Sequence, residues 1–308
     1  MVSGGGTAFK TAASYASPDS ENTLSRWLLG TALVAVAGLG LFWWQFSQLW
    51  SMWTTDSLRS IGALVIPTSL ALAYAELRRD DFEAGGSWWG LPILAAALAG
   101  ADLQYYGSPA LVLGRVAFLL IPVGLVLYIY ASGVIILLGG ITAWRRASFA
   151  LFLLLFVNPV PSFFSSLVDL PLQHFGAQAA RAFATFLGVP LSGASLDVMF
   201  FHGELGMFIA PSCNGLQGAA AMGGLALVIG HLRGMRLPRH VLFVTVAVAL
   251  AYLFNLLRLC LLVLYYCLAH RFPVLASYAV GGDYVIGATL FLLAAAFLLG
   301  AEPVRISR

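Results

Sequence analysis

Apolar residues run along this chain in long uninterrupted blocks, and short polar breaks between the blocks carry most of the charge. A block of about 20 residues is what an α-helix needs to cross the hydrocarbon core of a bilayer. The pattern predicts transmembrane helices near residues 27–48, 59–77, 87–105, 110–143, 148–167, 213–231, 240–268 and 278–300. The fourth block is too long for one simple span. With Pro122 and Gly124 as a break, it reads either as a kinked helix or as a helix plus a re-entrant piece. Ahead of the first block, residues 1–25 are rich in Gly, Ser, Thr and Ala without apolar period, which reads as a disordered cytoplasmic tail. The first apolar run starts only near Trp27 and shows no clear cleavage site, so the start of the chain does not have the layout of a signal peptide. The fold class expected is therefore an all-α polytopic membrane protein: a transmembrane domain over 26–302 and a short cytoplasmic tail at 303–308.

The breaks set the orientation. Arg78-Arg79, Arg145-Arg146, the Arg233/Arg236/Arg239 loop and the Arg305/Arg308 tail all belong on the cytoplasmic side by the positive-inside rule. That holds if 110–143 crosses once, which gives about eight spans with both termini inside. Residues 168–212 then face outward. From about Gln173 to Leu187 this insert has Phe175, Ala179, Phe183 and Leu187 at helical spacing, a pattern that suits an interfacial helix. Two short β-prone runs follow in "LDVMFFHGELGMFIA", flanking a turn at His202-Gly203. A helix plus hairpin packed over the bundle end is expected, and the plain alternative is a connector.

Composition sharpens the class. The 308-residue chain is 60% apolar and 9% charged, where a soluble domain carries about 25% charged residues, and its mean hydropathy is +0.90. The formal net charge of +3 is small and dispersed, so no nucleic-acid partner is expected. Three cysteines give neither a disulfide framework nor metal-ligand spacing, so neither a metal nor another cofactor is expected. Cys260 and Cys267 lie seven apart in an apolar run and read as small core residues.

The third cysteine is different. Cys213 lies in "FIAPSCNGLQGAAAMGG", between the expected hairpin and an expected helix, and Pro211-Ser212 and Asn214-Gly215 on either side of it are turn formers. A helix start offers unpaired N–H groups and the positive end of a dipole, both of which favour a thiolate. In the next span, "NLLR" places Asn255 and Arg258 on one helical face. An arginine inside an apolar run costs roughly 2.5–3.5 kcal/mol on insertion scales and needs a partner or a wet cavity. It serves either to tie helices together or as a fixed cation near the thiol, favouring thiolate and then oxyanion. The last span opens with "YAVGGDYVIG". There Asp283 is the only acid and Tyr284 adjoins it. Asp283 reads as a helix cap, as the partner of Arg258, or as a proton-positioning group. His270, at the outer end of the Arg258 helix, is a further proton carrier or simply an interfacial residue; His174 and His202 are weaker candidates.

Taken in order, these residues resemble the exosortase/archaeosortase family of membrane cysteine transpeptidases. The similarity covers roughly 60–300 and is strongest over 145–290. "CNGLQG" resembles the family's Cys-(Ser/Asn)-Gly-Leu knot, "NLLR" its Asn-x-x-Arg, and "RRASFALFLLLFVNPVP" its basic turn followed by an apolar span ending in Pro-x-Pro. The family's third residue, a His or in some members an Arg at the start of the final span, is missing: Asp283 or Tyr284 holds its place. The resemblance implies a multi-pass protein of the cell inner membrane, active site outward, associated with exopolysaccharide systems. Its partners would be membrane lipid and secreted proteins bearing a C-terminal sorting signal, which it cleaves and transfers to an acceptor. Cys213 would be the nucleophile, Arg258 the oxyanion holder and Asp283 the third member, with Asn214, Asn255, Tyr284 and His270 around the substrate. Two other classes compete: a transporter with Arg258 and Asp283 as an intramembrane ion pair, and a non-catalytic assembly member of the same family.

Overall fold

The computed structural model describes residues 29–300 except 31–32, 35–36, 39, 57–58, 79–84, 107–121, 159–161, 204 and 211–212. The expected tails at 1–25 and 303–308, the first part of the fourth block, the two prolines of "NPVP" and Pro211-Ser212 lie outside the described residues.

The described elements are helices α1 (Trp43–Thr55), α2 (Val65–Arg78), α3 (Gly90–Tyr106), α4 (Val123–Leu153) and α5 (Ser162–Phe186), strands β1 (Leu191–Ser192), β2 (Asp197–Phe200) and β3 (Leu205–Phe208), then helices α6 (Leu216–Leu232), α7 (Leu237–Arg271) and α8 (Ala279–Gly300). Short 3-10 turns precede α2 (Ser60–Leu64), follow α4 (Leu154–Val157) and lead into α8 (Pro273–Tyr278). Four segments are long and apolar enough to cross a bilayer, Ser60–Arg78, Val123–Val157, Leu237–Arg271 and Pro273–Gly300; Gly90–Gln104 and Leu216–Leu232 are apolar but shorter. The result is a multi-span, membrane-type helical fold.

The Val123–Val157 segment is not one rod. Gly140 has φ +75° and ψ −176°, a backbone conformation open in practice to glycine alone. The helix folds back there: Gly124 lies against the carbonyls of Leu154 and Leu155. Those residues would stand about 45 Å apart along a continuous helix. Two antiparallel arms therefore meet at Gly140, and Arg145-Arg146 follow directly after the turn. The break expected at Pro122 and Gly124 coincides with the start of the first arm, which Pro122 caps in an extended conformation; residues 107–121 before it lie outside the described residues. The expected span at 148–167 is also corrected. Its helix ends at Leu153, and a new one runs from Ser162 to Phe186, through Pro171. The helix expected from about Gln173 is thus the second half of a longer one that begins before Pro171.

Small residues let the helices approach closely, as membrane bundles require. Ala143, Ala147 and Ala150 on α4, and Ala177, Ala180 and Ala184 on α5, are buried at one-turn spacing. On α7, Leu253, Leu257, Leu264 and Leu268 form an exposed stripe that suits contact with lipid tails. The hairpin expected around His202-Gly203 is present, with Phe201, His202 and Gly203 all at positive φ. Unexpectedly, β1 joins it, giving a three-stranded antiparallel sheet of order β1-β2-β3. Val198 and Phe200 on its inner face are fully buried in a core shared with the alanines of α5 and with Leu259 and Val263 of α7. Arg181 of α5 fastens the β1–β2 connection, donating from Nη2 to the carbonyls of Gly193, Ala194 and Asp197.

The molecule has two distinct ends. One gathers basic breaks: Arg233 donates to the Leu299 carbonyl at 2.9 Å, and His231 stacks on Phe149 and meets Glu76 at 3.4 Å. The sheet, Cys213 and the start of α8 lie at the other.

Candidate active site

The turn before α6 explains the Cys-Asn-Gly-Leu knot residue by residue. The N–H of Cys213 donates to the Ala210 carbonyl at 2.8 Å, which closes the turn. Asn214 is almost fully buried; its Oδ1 accepts the Leu216 N–H at 2.8 Å, satisfying one of the open donors of α6. Its Nδ2 donates to Asp169 Oδ1 of α5 at 2.7 Å. Gly215 takes the left-handed conformation at φ +84°, and a Cβ there would meet the Asn255 amide at 2.8 Å. Leucine then begins the helix. The helix starts at Leu216, three residues past Cys213, and the thiol therefore sits in front of it and not inside it.

Asn255 and Arg258 come from α7. Asn255 Nδ2 donates to the Cys213 carbonyl at 3.0 Å and so ties the thiol turn to this helix. One turn on, Arg258 forms a fork with Asp283 of α8, Nε to Oδ1 at 2.8 Å and Nη2 to Oδ2 at 2.7 Å. Of the three readings of Asp283, this geometry is that of an ion pair. The residue stands beyond the first turn of α8, which carries no acid, so it does not cap the helix. The side chains are 21% and 30% exposed, enough shielding for charge and bidentate geometry to matter. Gly287, one turn beyond Asp283, leaves the room: a Cβ there would stand 3.3 Å from Arg258 Nε.

Helix α7 is the longest of the described elements. Its 35 residues extend beyond a bilayer core of about 30 Å. Arg258 is 21 residues past Leu237, about 31 Å along the axis. It therefore stands in the second half of the helix, 13 residues before the end at Arg271.

A cavity of about 270 Å³ opens at this level, walled by Cys213, by Leu259, Leu262 and Tyr266 of α7, by Ala279, Val280, Asp283 and Tyr284 of α8, by Gly206, Met207 and Phe208 of β3, and by Ile209 just after that strand. Cys213 and Asp283 thus share one wall space, and Tyr284 is exposed at it. His270 does not line the cavity; it stacks on Phe201 of the hairpin turn at 3.8 Å. Among the described residues no His, Cys, Asp or Glu cluster suits a metal ion. Asp169, Gly287 and Tyr266 were missed by the sequence reading. Asp169 had a faint signal, as an acid amid apolar residues; Gly287 and Tyr266 had none.

The comparisons with known proteins bear on this arrangement. A family model described as transmembrane exosortase (Exosortase_EpsH) matches residues 50–300. No curated protein and no solved structure gives a significant match.

Proposed function

The chain belongs to the transmembrane exosortase family, and from that premise we propose that it is a membrane-embedded cysteine peptidase and transpeptidase acting on the C-terminal sorting signals of secreted proteins. One observation carries the reading: Cys213 and Asp283 wall the same cavity, while Asn255 and Arg258 bind the thiol turn and the acid to a single helix.

The chemistry follows from that placement. The Cys213 sulfur attacks the carbonyl carbon of the scissile peptide, and the carbonyl oxygen becomes an oxyanion held by N–H groups at the start of α6 and by Arg258. The C–N bond then breaks. The anchor-bearing amine leaves with a proton, and a thioester remains on Cys213. An acceptor nucleophile attacks that thioester and returns the thiol. Asp283 is a positioning residue here: it fixes the guanidinium fork in the way a supporting shell fixes a catalytic group. In this reading Tyr284, exposed at the cavity, or water protonates the leaving amine, and His270, which stacks on Phe201 and does not line the cavity, takes no part.

In this reading the protein sits in the cell inner membrane with its basic end in the cytoplasm. It crosses eight times, through α1, α2, α3, the two arms of α4, α6, α7 and α8. Helix α5, the sheet and Cys213 lie at the outer face, where a substrate's scissile bond would stand just above its own anchor helix.

The test is Cys213→Ala in the native host, scored by mass spectrometry of secreted and membrane proteins. Secreted proteins that retain a C-terminal apolar helix and basic cluster should accumulate in the membrane. If none accumulates while the variant is present at the wild-type level, the chain is an assembly member and not the enzyme.

A further inference from the structure

The sheet ends in the cavity, and its last strand has an open side. Strand β3 pairs only with β2 among the described residues, in the register Val198↔Met207 and Phe200↔Leu205. The N–H of Ile209 donates to the Leu196 carbonyl at 3.0 Å, which makes 196↔209 a hydrogen-bonded pair. In an antiparallel ladder such pairs alternate with non-bonded ones. Leu205, Met207 and Ile209 therefore spend their backbone groups on β2, while those of Gly206 and Phe208 point to the open side. The Phe208 carbonyl accepts the Ala210 N–H at 3.0 Å. Among the described residues that leaves the Gly206 N–H and C=O and the Phe208 N–H along an edge whose residues wall the same cavity as Cys213. An open edge of this kind is a template for another strand.

We infer that the peptide substrate binds as a fourth strand on β3, its backbone paired with Gly206 and Phe208 and its chain led toward Cys213. This rests on the transpeptidase reading for the identity of the occupant: the extended segment that precedes the secreted protein's anchor helix. Main-chain pairing of this type supplies affinity without side-chain sequence, and alternate side chains supply selectivity. Here alternate side chains would drop toward Leu262 and Tyr266 on α7 and toward Val280 and Tyr284 on α8. The recognised segment is thus extended, lacks proline at the paired positions, and carries an apolar or aromatic residue at every second place.

The test labels Cys213 and does not require turnover. An Ala-Ala-Phe chloromethyl ketone, whose ketone-activated carbon loses chloride to a thiolate, is compared with iodoacetamide, which has no peptide backbone. Labelling of Cys213 in the full-length detergent-solubilised protein is followed by mass spectrometry. The peptide reagent should react at least 10-fold faster relative to iodoacetamide than it does with free cysteine. Phe208→Pro removes the outward N–H without touching the β2 ladder, a position where an edge strand tolerates proline. It should abolish that advantage and leave the iodoacetamide rate within about two-fold of wild type, the flag that the variant is folded. Phe208→Ala should retain the advantage. An advantage that survives Phe208→Pro, or that is missing in the wild type, overturns strand addition. Because the readout is labelling, a protein that shows the full pattern yet processes no secreted protein would refute the transpeptidase reading alone; Phe208→Pro that processes substrate normally would refute strand addition alone.

Discussion

Arg258 of α7 and Asp283 of α8 are joined by two hydrogen bonds, Nε to Oδ1 and Nη2 to Oδ2. A carboxylate held in a bidentate guanidinium fork fixes the orientation of that guanidinium. Its contribution should appear in kcat and not in substrate affinity. Asp283→Asn keeps the shape and one acceptor but removes the charge. It is expected to lower processing at least 10-fold with KM unchanged and a melting temperature close to wild type. Asp283→Ala leaves Arg258 without its partner in a site less than one-third exposed. It should in addition destabilise the protein by about 1–3 kcal/mol, below the 3–5 of a fully buried pair. Steady-state processing assays beside thermal melts separate the two effects. If both variants process at the wild-type rate, Asp283 only ties α7 to α8.

At the scale of elements, the sheet is held over the cavity by Arg181 more than by its own length. Strand β1 has two residues and β2 and β3 four each, and so short a sheet is marginal unless it packs on something. The packing comes from Val198 and Phe200 against α5 and α7, and the alignment comes from one guanidinium nitrogen donating to three carbonyls. Arg181→Ala is expected to speed amide hydrogen exchange across 191–200 at least 10-fold while leaving that of α7 unchanged. Peptide processing should fall with it, and iodoacetamide should still label Cys213 at the wild-type rate. Unchanged exchange in the sheet would show that apolar packing alone holds it. The same logic applies to Asn214 and Asn255, whose amides join α5, α6 and α7 at the one turn that carries the thiol.

For the whole molecule, the ends decide the orientation. Arg78, Arg145, Arg146, Arg233, Arg236 and Arg239 mark one end, and the cavity opens at the other. Single cysteines introduced at Arg236 and at Phe208, in a background with Cys213, Cys260 and Cys267 changed to alanine, should label oppositely with a membrane-impermeant maleimide. In intact spheroplasts Phe208→Cys is expected to react and Arg236→Cys to react only after lysis. The reverse result would place the cavity in the cytoplasm and remove the proposed reaction.

Much of the architecture was legible because its signals are local. Long apolar runs can only be helices in lipid, where every backbone group must be satisfied within its own segment, and charged breaks mark the ends. Cys213, Arg258 and Asp283 stood out because each is chemically out of place in its surroundings. The knot after residue 212 could likewise be recognised as a turn from its Asn-Gly pair. Other features depended on tertiary contacts. The Gly139-Gly140 pair is a turn-type dipeptide inside an apolar run, but only the left-handed backbone at Gly140 and the packing of Gly124 on Leu154 show that the helix reverses there. Pro171 looks like a boundary, yet α5 passes through it. Strand β1 is too short to show a period, and its partner fixes it. Which acid serves Arg258, and that the open edge of β3 borders the thiol, are relations between residues far apart in the chain. Long-range packing energy selects those relations, and no window of neighbouring residues contains it.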